Sequence, residues 1–166
     1  MKSRLLPPRK ARARGLGKSE RNRRLTSLGL SRHDDDALQE QALAIVERFR
    51  RFTNASRCCI TGWRSGESQE FEGRWYVVGV EWAHVVGKRG AWAADFGCCL
   101  PLFSELHLQQ ENDPTFFARR GLDPVQLARV HAVRFFAENP QDADWIIERA
   151  SDGDAIALAR AGLEAR

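Results

Sequence analysis

The first 32 residues constrain this chain most. They carry eleven Lys or Arg against a single acid, Glu20, a net charge of +10, with scattered Pro, Gly and Ser and no apolar periodicity. Such a segment has too little apolar surface to offset the entropy of ordering it, so the task of folding falls to the rest. Of the 26 basic and 22 acidic residues, 15 and 21 lie in residues 33–166, which makes that body mildly acidic at −6. A basic arm on an acidic body is drawn to a polyanion by counterion release, with strong salt dependence and little sequence preference. Arg9, Lys10, Arg12, Arg14, Lys18, Arg21, Arg23 and Arg24 are the candidate nucleic-acid contacts. A solvated tail or an organelle presequence is the plainer alternative. Pro7-Pro8 with Gly15 and Gly17 argue against a presequence helix.

The body is apolar enough for a core: 43% of the chain is hydrophobic, with nine Phe and five Trp. No apolar run approaches the roughly 18–20 residues that span a bilayer. The N-terminus lacks the apolar stretch of a secretory signal. A soluble intracellular protein without a membrane partner is expected. The four cysteines form two vicinal pairs, Cys58-Cys59 and Cys98-Cys99. Neither has the spacing of a zinc knuckle, so buried thiols in a reducing compartment are expected, although one cysteine of each pair could still meet in space.

Along the chain, residues 1–30 read as a flexible arm and residues 31–56 as a helix. Ser31 and Asp34-Asp35-Asp36 supply its cap and favourable charge, and Leu38, Ala42, Ile45, Val46, Phe49 and Phe52 its apolar face. Residues 57–139 form the expected core of the domain. Arg57–Thr61 is a short candidate strand, and Phe71-Glu72-Gly73 marks a hairpin whose second strand runs from Trp75 through Val85. Gly87-Lys88-Arg89-Gly90 is a basic loop. Pro101 is placed to open a helix bearing Leu102, Glu105, Leu106 and His107. Asp123-Pro124 starts another, with Val125, Ala128, Phe135 and Phe136 on its buried side. His131 lies on that apolar side and reads as a core histidine. Residues 140–166 read as a C-terminal helical segment, giving an α+β fold overall.

Two histidines, His84 at a strand end and His107 on the following helix, bracket the basic loop. Phosphodiester hydrolysis needs an activated water, a cation and correct placement. A strand-end imidazole can take the proton from water, and a helix-borne one can hold the metal. The histidines alone are equally compatible with a backbone-satisfied His84 and an exposed helical His107. Lys88 and Arg89 would lie beside a bound phosphate, or form a solvated turn. Trp82 and Trp92 flank the loop, as core residues or stacking platforms.

Residues 81–127 carry E-x-A-H-V at Glu81, Ala83, His84 and Val85, then Gly87 and Gly90, Asp95, and L-P-L at Leu100 to Leu102. His107 and Gln110 follow, then F-F-A-R-R-G-L-D-P from Phe116 to Pro124. This order resembles the phage-associated branch of the HNH (ββα-metal) nucleases, which includes recombination-enhancing enzymes with basic arms. The resemblance implies a small HNH-like ββα core with flanking helices. It also implies His84 as general base, Asp95 as the residue orienting base or phosphate, and His107 with Glu111 as metal ligands. Magnesium or manganese would be the cation. DNA, ahead of RNA, would be the substrate, a recombinase or larger nucleoprotein assembly a partner, and a bacterial host's cytoplasm the location.

The sequence departs from the family at ligands. Phe103 stands at a zinc cysteine, Thr61 at the second cysteine of a knuckle beginning at Cys58, Leu106 at a second histidine, and Glu111 at a further helical histidine. A structural zinc cannot be assembled from these residues, and packing of Cys58, Phe103, Leu106 and Cys99 is expected in its place. The function expected is a nucleic-acid-associated, metal-dependent endonuclease in phage or mobile-element recombination; the alternatives are a catalytically inactive nucleic-acid-binding protein or a structural subunit of a nucleoprotein assembly. If Phe103 and Leu106 fill the space between His84 and His107, or the imidazoles cannot share a cation, the site does not catalyse.

Overall fold

The computed structural model describes residues 36–85 and 96–166. The basic arm, Ser31, His33, Lys88, Arg89, Trp92 and Asp95 lie outside them. Among the described residues five α-helices and two small antiparallel sheets make an α+β fold. In chain order these are α1 (Asp36–Ala55), β1 (Ser68–Phe71), β2 (Arg74–Val77), β3 (Val80–His84), β4 (Cys99–Phe103), α2 (Ser104–Asn112), α3 (Pro124–Glu138), α4 (Pro140–Arg149) and α5 (Gly153–Glu164). Among the described residues no helix is long and apolar enough to cross a membrane.

Local chemistry accounts for several boundaries. The Asp123 carboxylate accepts the amides of Val125 and Gln126, and Pro124 occupies the first turn of α3, where a missing amide costs nothing. Asp152 caps α5 in the same way through Asp154 and Ala155. Glu72 and Gly73 both have positive φ, 51° and 75°, and make the two-residue turn of the β1–β2 hairpin.

Three expectations are corrected. The long second strand breaks at Val78-Gly79, so β2 pairs with β1 while β3 turns away to pair with β4. Arg57–Thr61 is a turn rather than a strand, closed by the Gly62 amide donating to the Cys58 carbonyl. Pro101 sits in the middle of β4 opposite Trp82, and the helix starts only at Ser104. Leu102 and Leu100 make the paired ladder positions, because the flanking bonds run from the Ser104 amide to the Gly79 carbonyl and from the Val85 amide to the Cys98 carbonyl. Pro101 therefore points its backbone outward, where its carbonyl accepts the Cys59 amide and no ladder donor is lost.

Two buried clusters organise the packing. One is helical: Ile45, Val46 and Phe49 of α1 meet Phe135 and Phe136 of α3, Ile146 of α4 and Leu158 of α5, joined by Phe96 and Cys99. Helices α3 and α5 approach so closely at Gly162 that a Cβ there would stand 2.5 Å from that of Phe136. The other cluster wraps the strands and includes Val80, Ala83, Leu100, Leu102, Phe103, Leu106 and Phe116. Every residue of β4 is buried, which is why its Cys-Leu-Pro-Leu-Phe sequence shows no alternation. Val125, expected inside, is exposed on α3.

His131 is a core histidine, 8% exposed, with Nε2 3.0 Å from the Thr53 hydroxyl. That hydroxyl spends its one proton on the Phe49 carbonyl, so the imidazole must donate from Nε2. Burial, then Arg134, lowers its pKa to about 4 from 6.5. As pH falls below 6.5 the unfolded chain takes up a proton that the folded state refuses until about pH 4. The stabilisation present at neutral pH is therefore lost across that window. Urea unfolding at pH 7.5 and pH 5 is expected to show a loss of about 2 kcal/mol from this ring. That part should vanish in His131→Gln; an unchanged pH dependence in the variant would assign the loss elsewhere.

Candidate functional site

The order β3, β4, α2 puts an antiparallel strand pair directly before a short helix. Side chains alternate across β3. Val80, Trp82 and His84 share one face, opposite Phe103, Pro101 and Cys99, while Glu81 and Ala83 share the other, opposite Leu102 and Leu100. The first face meets α1: Trp82 packs against the helical cluster, and the Arg50 guanidinium lies 5.5 Å from its ring centroid. The exposed His84 ring stands 5.2 Å from Trp82, at the strand end.

The second face meets α2. Glu81 accepts a hydrogen bond from His107 Nδ1 at 2.9 Å, and Glu111, one turn further along α2, places Oε1 3.6 Å from His107 Nε2. The helix thus brings together the two expected metal ligands, His107 and Glu111. Because the Glu81 carboxylate accepts, Nδ1 carries the proton and Nε2 is the nitrogen turned towards Glu111. Glu81 stands in the E-x-A-H-V motif with no role expected of it from sequence. The signal was present, since Glu81 is three residues from His84 and alternation alone assigns the two to opposite faces.

His84 and His107 are therefore not brought together. Three strand residues, about 10 Å of chain, and the thickness of the strand separate His84 from the Glu81–His107 pair. Phe103 and Leu106, at 0% and 2% exposure, belong to the cluster of strand residues. Phe103 packs its ring against Trp63, Phe71 and Tyr76, with centroids 5.5–5.6 Å apart. Cys58 joins this cluster, while Cys99 lies in the other. Burial, reinforced by Cys58, pushes the Cys59 thiol up to about 12, so it stays protonated at neutral pH. All four cysteines are free thiols. Among the described residues no group of three or more His, Cys, Asp or Glu could hold a metal ion. The catalytic role of Asp95 and the phosphate contacts of Lys88 and Arg89 fall outside the described residues, as do the arm's candidate contacts.

No family model, curated protein or solved structure matches the chain.

Proposed function

We propose that this is a nucleic-acid-associated protein built on an HNH-like ββα unit whose hydrolytic function has been lost. One observation carries the loss: His84 stands on the α1 face of β3, and the His107–Glu111 pair stands beyond the α2 face. A water activated by a cation on α2 would have no strand-end imidazole beside it. The basic arm supports nucleic-acid association, through phosphate contacts and with DNA ahead of RNA as the ligand. A recombinase or larger nucleoprotein assembly is the corresponding protein partner.

A second reading, a metal-dependent endonuclease of phage or mobile-element recombination, is favoured by the meeting of His107 with Glu111. These two donors fit part of a magnesium or manganese site, and the cation would stabilise charge on the phosphate and leaving oxygen. A structural zinc does not fit at the family's cysteine position, where Phe103 fills the space with ring carbon.

The association is tested by fluorescence anisotropy on duplex and single-stranded DNA across a salt series. Replacing Arg9, Lys10, Arg12, Arg14, Lys18, Arg21, Arg23 and Arg24 by Gln should flatten the salt dependence. If all eight touch duplex phosphates, the logarithmic slope falls by about seven. Unchanged affinity and slope would remove the arm from the account.

A further inference from the structure

The β1–β2 hairpin is a sheet of two strands, and among the described residues no third strand pairs with either edge. The Glu72-Gly73 turn closes on Phe71 and Arg74, which fixes the ladder. Phe71 with Arg74 and Gln69 with Tyr76 are the hydrogen-bonded pairs; Glu70 with Trp75 and Ser68 with Val77 are not. The backbone amides and carbonyls of Trp75 and Val77 therefore point away from β1, and those of Ser68 and Glu70 away from β2. An open edge is a template for another strand, and proteins guard such edges with charge, proline or bulges.

These two edges are guarded unequally. On β1 the outward positions include Glu70, with Glu67 just before the strand and Glu72 just after it. Pairing that edge with its own copy would gather three carboxylates from each chain. On β2 the outward positions are Trp75 and Val77, neither of them charged, and Trp75 leaves its indole 43% exposed. We propose that the β2 edge pairs antiparallel with the β2 edge of a second copy of this chain, joining two hairpins into one four-stranded sheet.

The ladder sets the register. A two-fold axis between the two Tyr76 residues places Trp75 opposite Val77 of the second copy, and Val77 opposite its Trp75. About four backbone hydrogen bonds then form from groups that face outward in the single chain. Each new pair sets an aromatic ring against a β-branched side chain on the outer face, a combination that stabilises a sheet. Arg74, the one charged residue of β2, falls opposite Val78 and not opposite itself. One patch thus serves both partners, as a closed two-fold dimer requires. The strands are short, so the dimer is weak, with a Kd on the order of 10–100 μM. The inference is independent of the nucleic-acid reading.

The test is sedimentation velocity of the full chain over a concentration series, at high salt after nuclease treatment so that no nucleic acid bridges the arms. The sedimentation coefficient should rise from monomer to dimer across that range. Trp75→Lys should weaken dimerisation about thirtyfold or more. Val77→Pro deletes only an outward amide, so it should abolish the dimer while leaving the circular dichroism of the hairpin and helices unchanged. Glu70→Lys, on the opposite edge, should leave dimerisation as it is. Mixing Trp75→Cys with Val77→Cys under mild oxidation should give a disulfide between the two variants that the parent chain, with its own four cysteines, does not give. A monomer throughout the series, or a dimer that survives both Trp75→Lys and Val77→Pro, would overturn the proposal.

Discussion

Phe103→Ala lowers the free energy of unfolding by about 3–5 kcal/mol in urea denaturation, the expected cost of removing a wholly buried aromatic side chain. Three rings pack edge-on against Phe103: Phe71 and Tyr76 tie the β1–β2 hairpin to β4, and Trp63 ties the segment before it. Removing it opens a cavity at that junction and forfeits three aromatic contacts. Phe103→Leu should retain much of the stability, because most of the volume remains. Trp75→Ala, on the outer face of the same hairpin and 43% exposed, should cost far less. A loss below about 1 kcal/mol for Phe103→Ala would mean that packing does not hold the position at which the HNH resemblance has a zinc cysteine.

The second large effect lies at the junction of α1 and α4. Arg48 reaches Asp142 with both arms of its guanidinium, Nε to Oδ2 at 2.8 Å and a terminal nitrogen to Oδ1 at 2.6 Å. Asp142 is 2% exposed, so its carboxylate depends on this partner. The hydrogen bond to Asp142 raises the Arg48 pKa against the opposing effect of burial. Arg48→Ala should destabilise by about 2–4 kcal/mol, somewhat below a fully buried pair because the arginine side chain is 43% exposed. The double variant Arg48→Met, Asp142→Leu should regain most of that loss, since it removes the orphaned charge as well as the pair. If the double variant is no more stable than Arg48→Ala, the cost lies in packing rather than in an uncompensated carboxylate.

Residues acting on near neighbours were legible in the sequence. Asp123-Pro124 opens α3, Glu72-Gly73 turns the hairpin, and the apolar spacing from Ala42 to Phe49 marks the buried face of α1. His131, placed on an apolar helix face, is indeed enclosed. What escaped depends on distant partners. Pro101 reads as a helix opener until β3 is set beside it at a position that needs no ladder donor. The run from Trp75 to Val85 reads as one strand, but its halves join different sheets. Arg48 and Asp142 are 94 positions apart, and nothing local to either announces the other. At the candidate site the residue types on α2 were legible, as His107 and Glu111 fall one helical turn apart. The pairing of His107 with Glu81, 26 positions away, required the helix to be laid across the strand.

On the proposed reading, the protein holds nucleic acid by its basic arm, and His84 and the His107–Glu111 pair stand on opposite faces of β3. The most direct test is incubation of the purified protein with single-stranded and supercoiled DNA, in magnesium or manganese and in EDTA, beside His84→Ala. The account predicts binding without cutting in every condition, identical for the variant. Cation-dependent cleavage that disappears in His84→Ala would contradict it and restore His84 as a general base.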